Sequence, residues 1–106
     1  MDRKIQPILD ELLDRLGRLY AGRLIKAILY GSYSRNQAVE GSDIDVLVVL
    51  EGPVNSSDEI SRTIQDVSEI SLQHDVVLSC LFISAQEFET GQSPLLLNIR
   101  REGLPL

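Results

Sequence analysis

"YGSYSRNQAVEGSDIDVLVVL", residues 30–50, sets a Gly-Ser turn ahead of two aspartates that flank a single isoleucine. The run that follows, Val46-Leu47-Val48-Val49-Leu50, is short, apolar and β-branched, and it reads with Ile44 as a buried strand. Side chains alternate along a strand, so Asp43 and Asp45 share one face and Ile44 takes the other. Two carboxylates so placed sit roughly 6–7 Å apart. At an effective dielectric of about 20 they repel by about 2–3 kcal/mol. A buried strand gains nothing from that repulsion. Either the pair is a solvated strand entrance, or it holds something positive.

Working outward, Leu24–Tyr30 is rich in β-formers and runs into Gly31-Ser32, which predicts a strand ending in a turn. Residues 34–39 read as a short helix or an irregular loop, and Gly41-Ser42 as a second turn. Upstream, Ile5, Ile8, Leu9, Leu12, Leu13, Leu16, Leu19 and Tyr20 follow helical spacing, so the chain opens on an amphipathic helix with Pro7 in its first turn. Downstream, Ser56 and Glu59 have the form of a capping box, and Ile60, Ile64, Val67 and Ile70 predict a helix over 57–72. Asp75 to Ile83 reads as a strand. Ser93-Pro94 opens a last helix that Gly103 stops.

The expected order is α-β-α-β-α-β-α, an α/β (α+β) fold with a small mixed sheet flanked by helices, in one domain over 1–106. The strands on either side of helix 57–72 are expected to be parallel, because a helical crossover joins them. Parallel strands begin at the same edge of a sheet. On that reading Asp75, at the start of one strand, converges with Asp43 and Asp45 at the start of the other.

The 106 residues suffice for one domain and are too few for two. Net charge is −6, which argues against generic nucleic-acid binding by phosphate neutralisation. Carboxylates can still recruit magnesium, which then meets the phosphates of a nucleotide. The apolar runs are too short to span a membrane, and MDRKIQPILDELL lacks the uninterrupted apolar core of a signal peptide. A cytoplasmic protein is expected. Cys80 is the only cysteine and lies in a strand-like run, which predicts a buried, unreactive thiol. His74 has no zinc-like ligand set around it in the sequence.

Gly31-Ser32, ten residues, then Asp43-Ile44-Asp45-Val46 resembles the signature of the DNA polymerase beta-like nucleotidyltransferase superfamily. The fuller run over residues 24–51 is similar to its smallest members, the minimal nucleotidyltransferases. Where those relatives more often carry Ala and Gly, this chain has Ser34 and Asn36. The resemblance implies Asp43 and Asp45 as ligands of two magnesium ions, with Asp75 as the candidate third carboxylate. It implies Gly31, Ser32 and Arg35 as nucleotide-binding, with ATP the expected substrate. Gly31 would let the backbone approach the triphosphate, Ser32 would donate to it, and Arg35 would grip phosphate oxygens; pairing with Glu40 is the plain alternative for Arg35. A register offset that put Leu81 in the third position would leave the catalytic set incomplete.

So short a chain leaves little to form an acceptor pocket. The acceptor is therefore expected on another polypeptide, or in a groove built by a homodimer. For minimal nucleotidyltransferases the resemblance implies a helical HEPN-type partner in a toxin–antitoxin pair, with AMP transferred onto a tyrosine. Two rivals stand beside it. One is a non-catalytic antitoxin that works by covering its partner. The other is a stand-alone enzyme acting on a small-molecule alcohol.

Overall fold

The structure is a computed structural model, and it describes residues 4–39 and 41–106. Helix α1 (Gln6–Tyr20) leads through a single 3-10 turn to β1 (Leu24–Tyr30), and β2 is Ile44–Leu50. Then come α2 (Ser56–His74), β3 (Leu78–Ser84), α3 (Ala85–Thr90), α4 (Pro94–Glu102) and a two-residue β4 (Leu104–Pro105). The four strands form one mixed sheet in the order β3-β2-β1-β4. β2 and β3 are parallel across the α2 crossover, while β1 is antiparallel to both β2 and β4. The α/β class and the parallel pair are as the sequence predicts.

Both central faces of the sheet are covered. Ile44, Val46, Val48 and Leu50 of β2 pack with Ala27, Leu29 and Phe82 against α1 and α2. On the other face Leu47 and Val49 meet Ile28, Ile83, Phe88, Leu96 and Ile99, under α3 and α4. That double burial explains why β2 reads as a continuous apolar run rather than an alternating one. Asp43 and Asp45 lie on the α4 side by the same alternation. Among the described residues no helix is long and apolar enough to cross a membrane.

Several expectations need correction. α2 runs on to His74, and Asp75 takes the left-handed cap (φ 53°), donating its N–H to the Ser71 carbonyl. The third strand therefore starts at Leu78, not Asp75. Residues 34–39, read as a short helix or an irregular loop, are the loop, after a 3-10 turn at Gly31–Tyr33. Ser56 and Glu59 make no capping box: Asn55 caps α2, its side chain accepting from the Asp58 N–H at 3.1 Å. α3 and β4 are unanticipated elements. α3 had a signal, since Ser84 stands three residues before Glu87 and its hydroxyl accepts the Glu87 N–H at 3.1 Å. At the last helix Ser93 caps α4 and Gly103 ends it, as read.

Glu59 turns inward instead of capping, and only 4% of it is exposed. It accepts from the Tyr20 hydroxyl at 2.8 Å and pairs with Arg62 at 3.1 Å and Arg23 at 3.6 Å. Burial, then the Glu59 carboxylate, holds the Tyr20 phenol protonated well above its usual range. This network ties the end of α1 to the start of β1 and to α2. Replacing Glu59→Ala strands the Tyr20 hydroxyl and is expected to cost about 3 kcal/mol in urea unfolding. Glu59→Gln keeps an acceptor for Tyr20 and is expected to cost less.

Candidate active site

The site is assembled where β1 ends beside the start of β2. Tyr30 is the cross-strand partner of Asp45, so the turn that follows Tyr30 is carried over the Asp45 side chain. Gly31 takes φ +75°, a conformation that L side chains rarely adopt. A Cβ built there would lie 2.6 Å from Asp45 Oδ2. Glycine is required at this point both by the turn and by the carboxylate below it.

The turn is closed by its own polar groups. The Gly31 carbonyl accepts from the Ser34 N–H at 3.1 Å and from the Ser34 hydroxyl at 2.8 Å. The Ser32 carbonyl accepts from the Gln37 N–H at 2.9 Å. Among the described residues the Ser32 hydroxyl carries no hydrogen bond, so it stands available beside the pair. Asn36 adopts φ 56°, the left-handed conformation that a glycine at this position takes without strain. Asparagine is among the few residues that tolerate it, which accounts for this departure from the more usual Gly. The second turn is held by Ser42, whose hydroxyl accepts from the Val39 N–H at 2.9 Å.

Asp43 is exposed and Asp45 half-buried. Burial first, then the Asp43 charge, raises the Asp45 carboxyl above its ordinary range. Among the described residues neither aspartate has a cationic partner. Burial, with Asp45 next and Cys80 last, pushes the Tyr30 phenol up to about 12. Two carboxylates, Asp45 on β2 and Asp43 just before it, unneutralised and beside a glycine turn, fit a hard divalent cation completed by water and phosphate oxygens.

Asp75 does not join them. In register β3 places Ser79 opposite Asp45 and Leu81 opposite Leu47, and Asp75 precedes the strand altogether. It opens instead on a cleft of about 470 Å³ with Lys4, Tyr33, Val39, Gly41 and His74. No group of three Asp, Glu, His or Cys side chains able to hold a metal forms among the described residues. The expected convergence of three carboxylates is thus corrected to a pair.

Arg35 lies across the turn. Its Nε donates to Gln37 Oε1 at 3.2 Å, and its guanidinium is 3.9 Å from Glu102 of α4. Glu40, the pairing considered from sequence, lies outside the described residues. Arg35 and Glu102 line a cleft of about 180 Å³ with Tyr30, Gly31, Asn98 and Ile99, open to the same side as Asp45. Tyr30 and Glu102 were missed as site neighbours. Only the register could reveal the first, and only the unforeseen packing of α4 the second. His74 sits 3.1 Å from Glu11, away from the pair, and burial pushes the Cys80 thiol up to about 12. Cys80 is half-buried rather than fully buried.

Residues 9–102 match the family model of the nucleotidyltransferase domain. Candidate protein adenylyltransferases of Methanocaldococcus jannaschii are similar to the chain. One is 30% identical over 102 residues, 93% of this chain and 69% of its own; another is 34% identical over 80 residues, 76% and 74%. Among solved structures, a toxin–antitoxin with AMP-PNP superposes with a TM-score of 0.63 at 17% identity, covering 91% of this chain and 69% of the other. A mutant of the MntA-HpeT toxin–antitoxin superposes with a TM-score of 0.60 at 14% identity, covering 91% and 70%. At such identities the superpositions speak for the fold, which is the polymerase beta-like nucleotidyltransferase fold. The family match over most of the chain, together with these relatives, establishes that it belongs to the nucleotidyltransferase domain family.

Proposed function

We propose that this nucleotidyltransferase moves AMP from ATP to a hydroxyl group on a partner protein, as the antitoxin of a cytoplasmic toxin–antitoxin pair with a helical HEPN-type partner. The observation that carries the reading is the seating of Gly31 against the Asp45 carboxylate, which joins the phosphate turn to the acidic pair. Support for ATP and a protein acceptor comes from relatives named as candidate protein adenylyltransferases and from a fold neighbour with AMP-PNP.

In the transfer the acceptor hydroxyl gives up its proton to solvent and its oxygen bonds to the α-phosphorus. The bond from that phosphorus to the bridging oxygen breaks, and pyrophosphate leaves with the bonding electrons. Asp43 and Asp45 would hold magnesium, which when bound neutralises charge on the reacting phosphate and the leaving pyrophosphate. Gly31 admits the triphosphate to the backbone, and the Ser32 hydroxyl donates to it. Arg35 exchanges its contact with Glu102 for phosphate oxygens.

The pairing of Asp45 with Ser79, in place of a third carboxylate, favours one alternative: an antitoxin that binds nucleotide or partner without turnover. Calorimetric titration of ATP, with magnesium or with chelator, separates the readings. Binding that needs magnesium and is lost in the Asp43→Asn/Asp45→Asn double variant is the expected result. Equal binding by the double variant, or none by natively folded wild type, overturns the metal–nucleotide site and leaves the covering antitoxin.

A further inference from the structure

The cleft beside the Gly31 turn has one cation and one anion among its described walls, Arg35 and Glu102, which face each other at 3.9 Å. Their settings differ. Arg35 stands on the irregular loop, and its side chain's other contact among the described residues is with Gln37. Glu102 ends α4 on a fixed base. The next residue, Gly103, is seated so closely on β1 that a Cβ there would lie 2.5 Å from Ile28 Cγ2. β4 then pairs with β1, and Arg100 ties α4 to the segment before it by donating to the Phe88 carbonyl and, at 2.6 Å, to the Gly91 carbonyl. The carboxylate is therefore part of the scaffold, and the arginine comes to it.

That carboxylate has no local reason to be there. It lies in the last turn of α4, where the helix dipole disfavours negative charge. A fixed carboxylate beside a phosphate-gripping guanidinium also works against phosphate. It competes for the same N–H donors, and a phosphate that reaches Arg35 comes near a like charge. Arg101, 3.8 Å from the other oxygen of Glu102 and largely exposed, relieves this little. With Asp43 and Asp45 unneutralised beside the turn, three carboxylates stand there against Arg35.

We propose that Glu102 is a selectivity residue of the nucleotide site, which withholds Arg35 from metal-free anions and so admits a triphosphate as its magnesium complex. The inference rests on the nucleotide reading of the Gly31 turn. A triphosphate that brings magnesium carries less negative charge toward the three carboxylates, and Arg35 then leaves Glu102 for its oxygens. A bare phosphate or metal-free nucleotide meets the carboxylates and an arginine already engaged.

The test is calorimetric titration of ATP, in magnesium and in chelator, into wild type and Glu102→Gln. In chelator the variant is expected to bind about 5-fold tighter than wild type or better, while its gain in magnesium stays below about 2-fold. Asp14→Asn makes the same change of charge on α1, across the sheet, and is expected to leave both affinities near wild type. In an Arg35→Gln background the gain from Glu102→Gln should shrink, because part of it runs through that arginine. Equal or weaker binding by Glu102→Gln in chelator overturns the proposal. So does a gain that is as large in magnesium, that Asp14→Asn reproduces, or that persists undiminished without Arg35. If neither wild type nor the variant binds ATP in either condition, the nucleotide reading falls and this inference with it. Wild-type binding in magnesium with no gain in the variant removes this inference alone.

Discussion

Asp45→Asn is expected to abolish magnesium-dependent ATP binding and to lower any transfer from ATP about 10³-fold or more, while making the free protein more stable at neutral pH. The two effects share one cause. Asp45 is half-buried beside Asp43, and its carboxyl is raised by burial and by that neighbour. The folded chain therefore holds the Asp45 proton more tightly than the unfolded chain does. Wild-type stability falls as pH rises from the unfolded value of about 3.9 through the raised folded value, and it stays lower above that. Asparagine has no proton to lose. Its advantage is absent in acid and full at neutral pH, on the order of 1 kcal/mol, because solvent around exposed Asp43 screens the repulsion below its value in a drier setting. Thermal melts in metal-free buffer across that range read the sign directly. Adding magnesium and ATP should reverse the order, because ligand at about 100 times its Kd adds about 2.7 kcal/mol to wild type and nothing to the variant. A variant that melts below wild type in metal-free neutral buffer would mean that Asp45 is a structural carboxylate.

The central part of this fold was legible because its signals are local. β1 and β2 occupy Leu24–Tyr30 and Ile44–Leu50, the bounds that turn residues and apolar runs indicate. The Gly31-Ser32 turn and the Asp43–Asp45 pair are likewise read within one short stretch. Asp75 shows where local reading stops. An aspartate before Val76-Val77-Leu78 looks like a strand start, but helix α2 has enough helix formers to run on through His74. Asp75 is then taken by the left-handed cap. Which residue of β3 faces Asp45 depends on the register of two parallel strands, and no local pattern encodes that. Glu59 failed for a similar reason. Its spacing from Ser56 suits a cap, but a buried Tyr20 hydroxyl competes for the carboxylate and wins. β4 is two residues long and exists only because β1 offers an edge.

Gly31→Ala is the second large effect, and it tests whether the turn and the acidic pair are one device. The substitution carries two separate costs. A Cβ at φ +75° costs about 1–2 kcal/mol wherever it occurs. Here it would also lie 2.6 Å from Asp45 Oδ2, inside van der Waals contact, so the carboxylate or the turn must move. A displacement of about 1 Å in a phosphate-positioning group costs about 10²-fold in rate. Gly31→Ala is therefore expected to destabilise the chain by about 2–3 kcal/mol and to weaken ATP binding severely. The two costs separate in a double-mutant cycle. Asp45→Ala removes the clashing oxygen but leaves φ unchanged, so Gly31→Ala should cost only the backbone part in that background, a coupling of about 1 kcal/mol or more. Strict additivity would mean that the turn yields away from Asp45. The close seating of glycine on carboxylate would then be incidental, and ATP affinity in Gly31→Ala alone should remain near wild type.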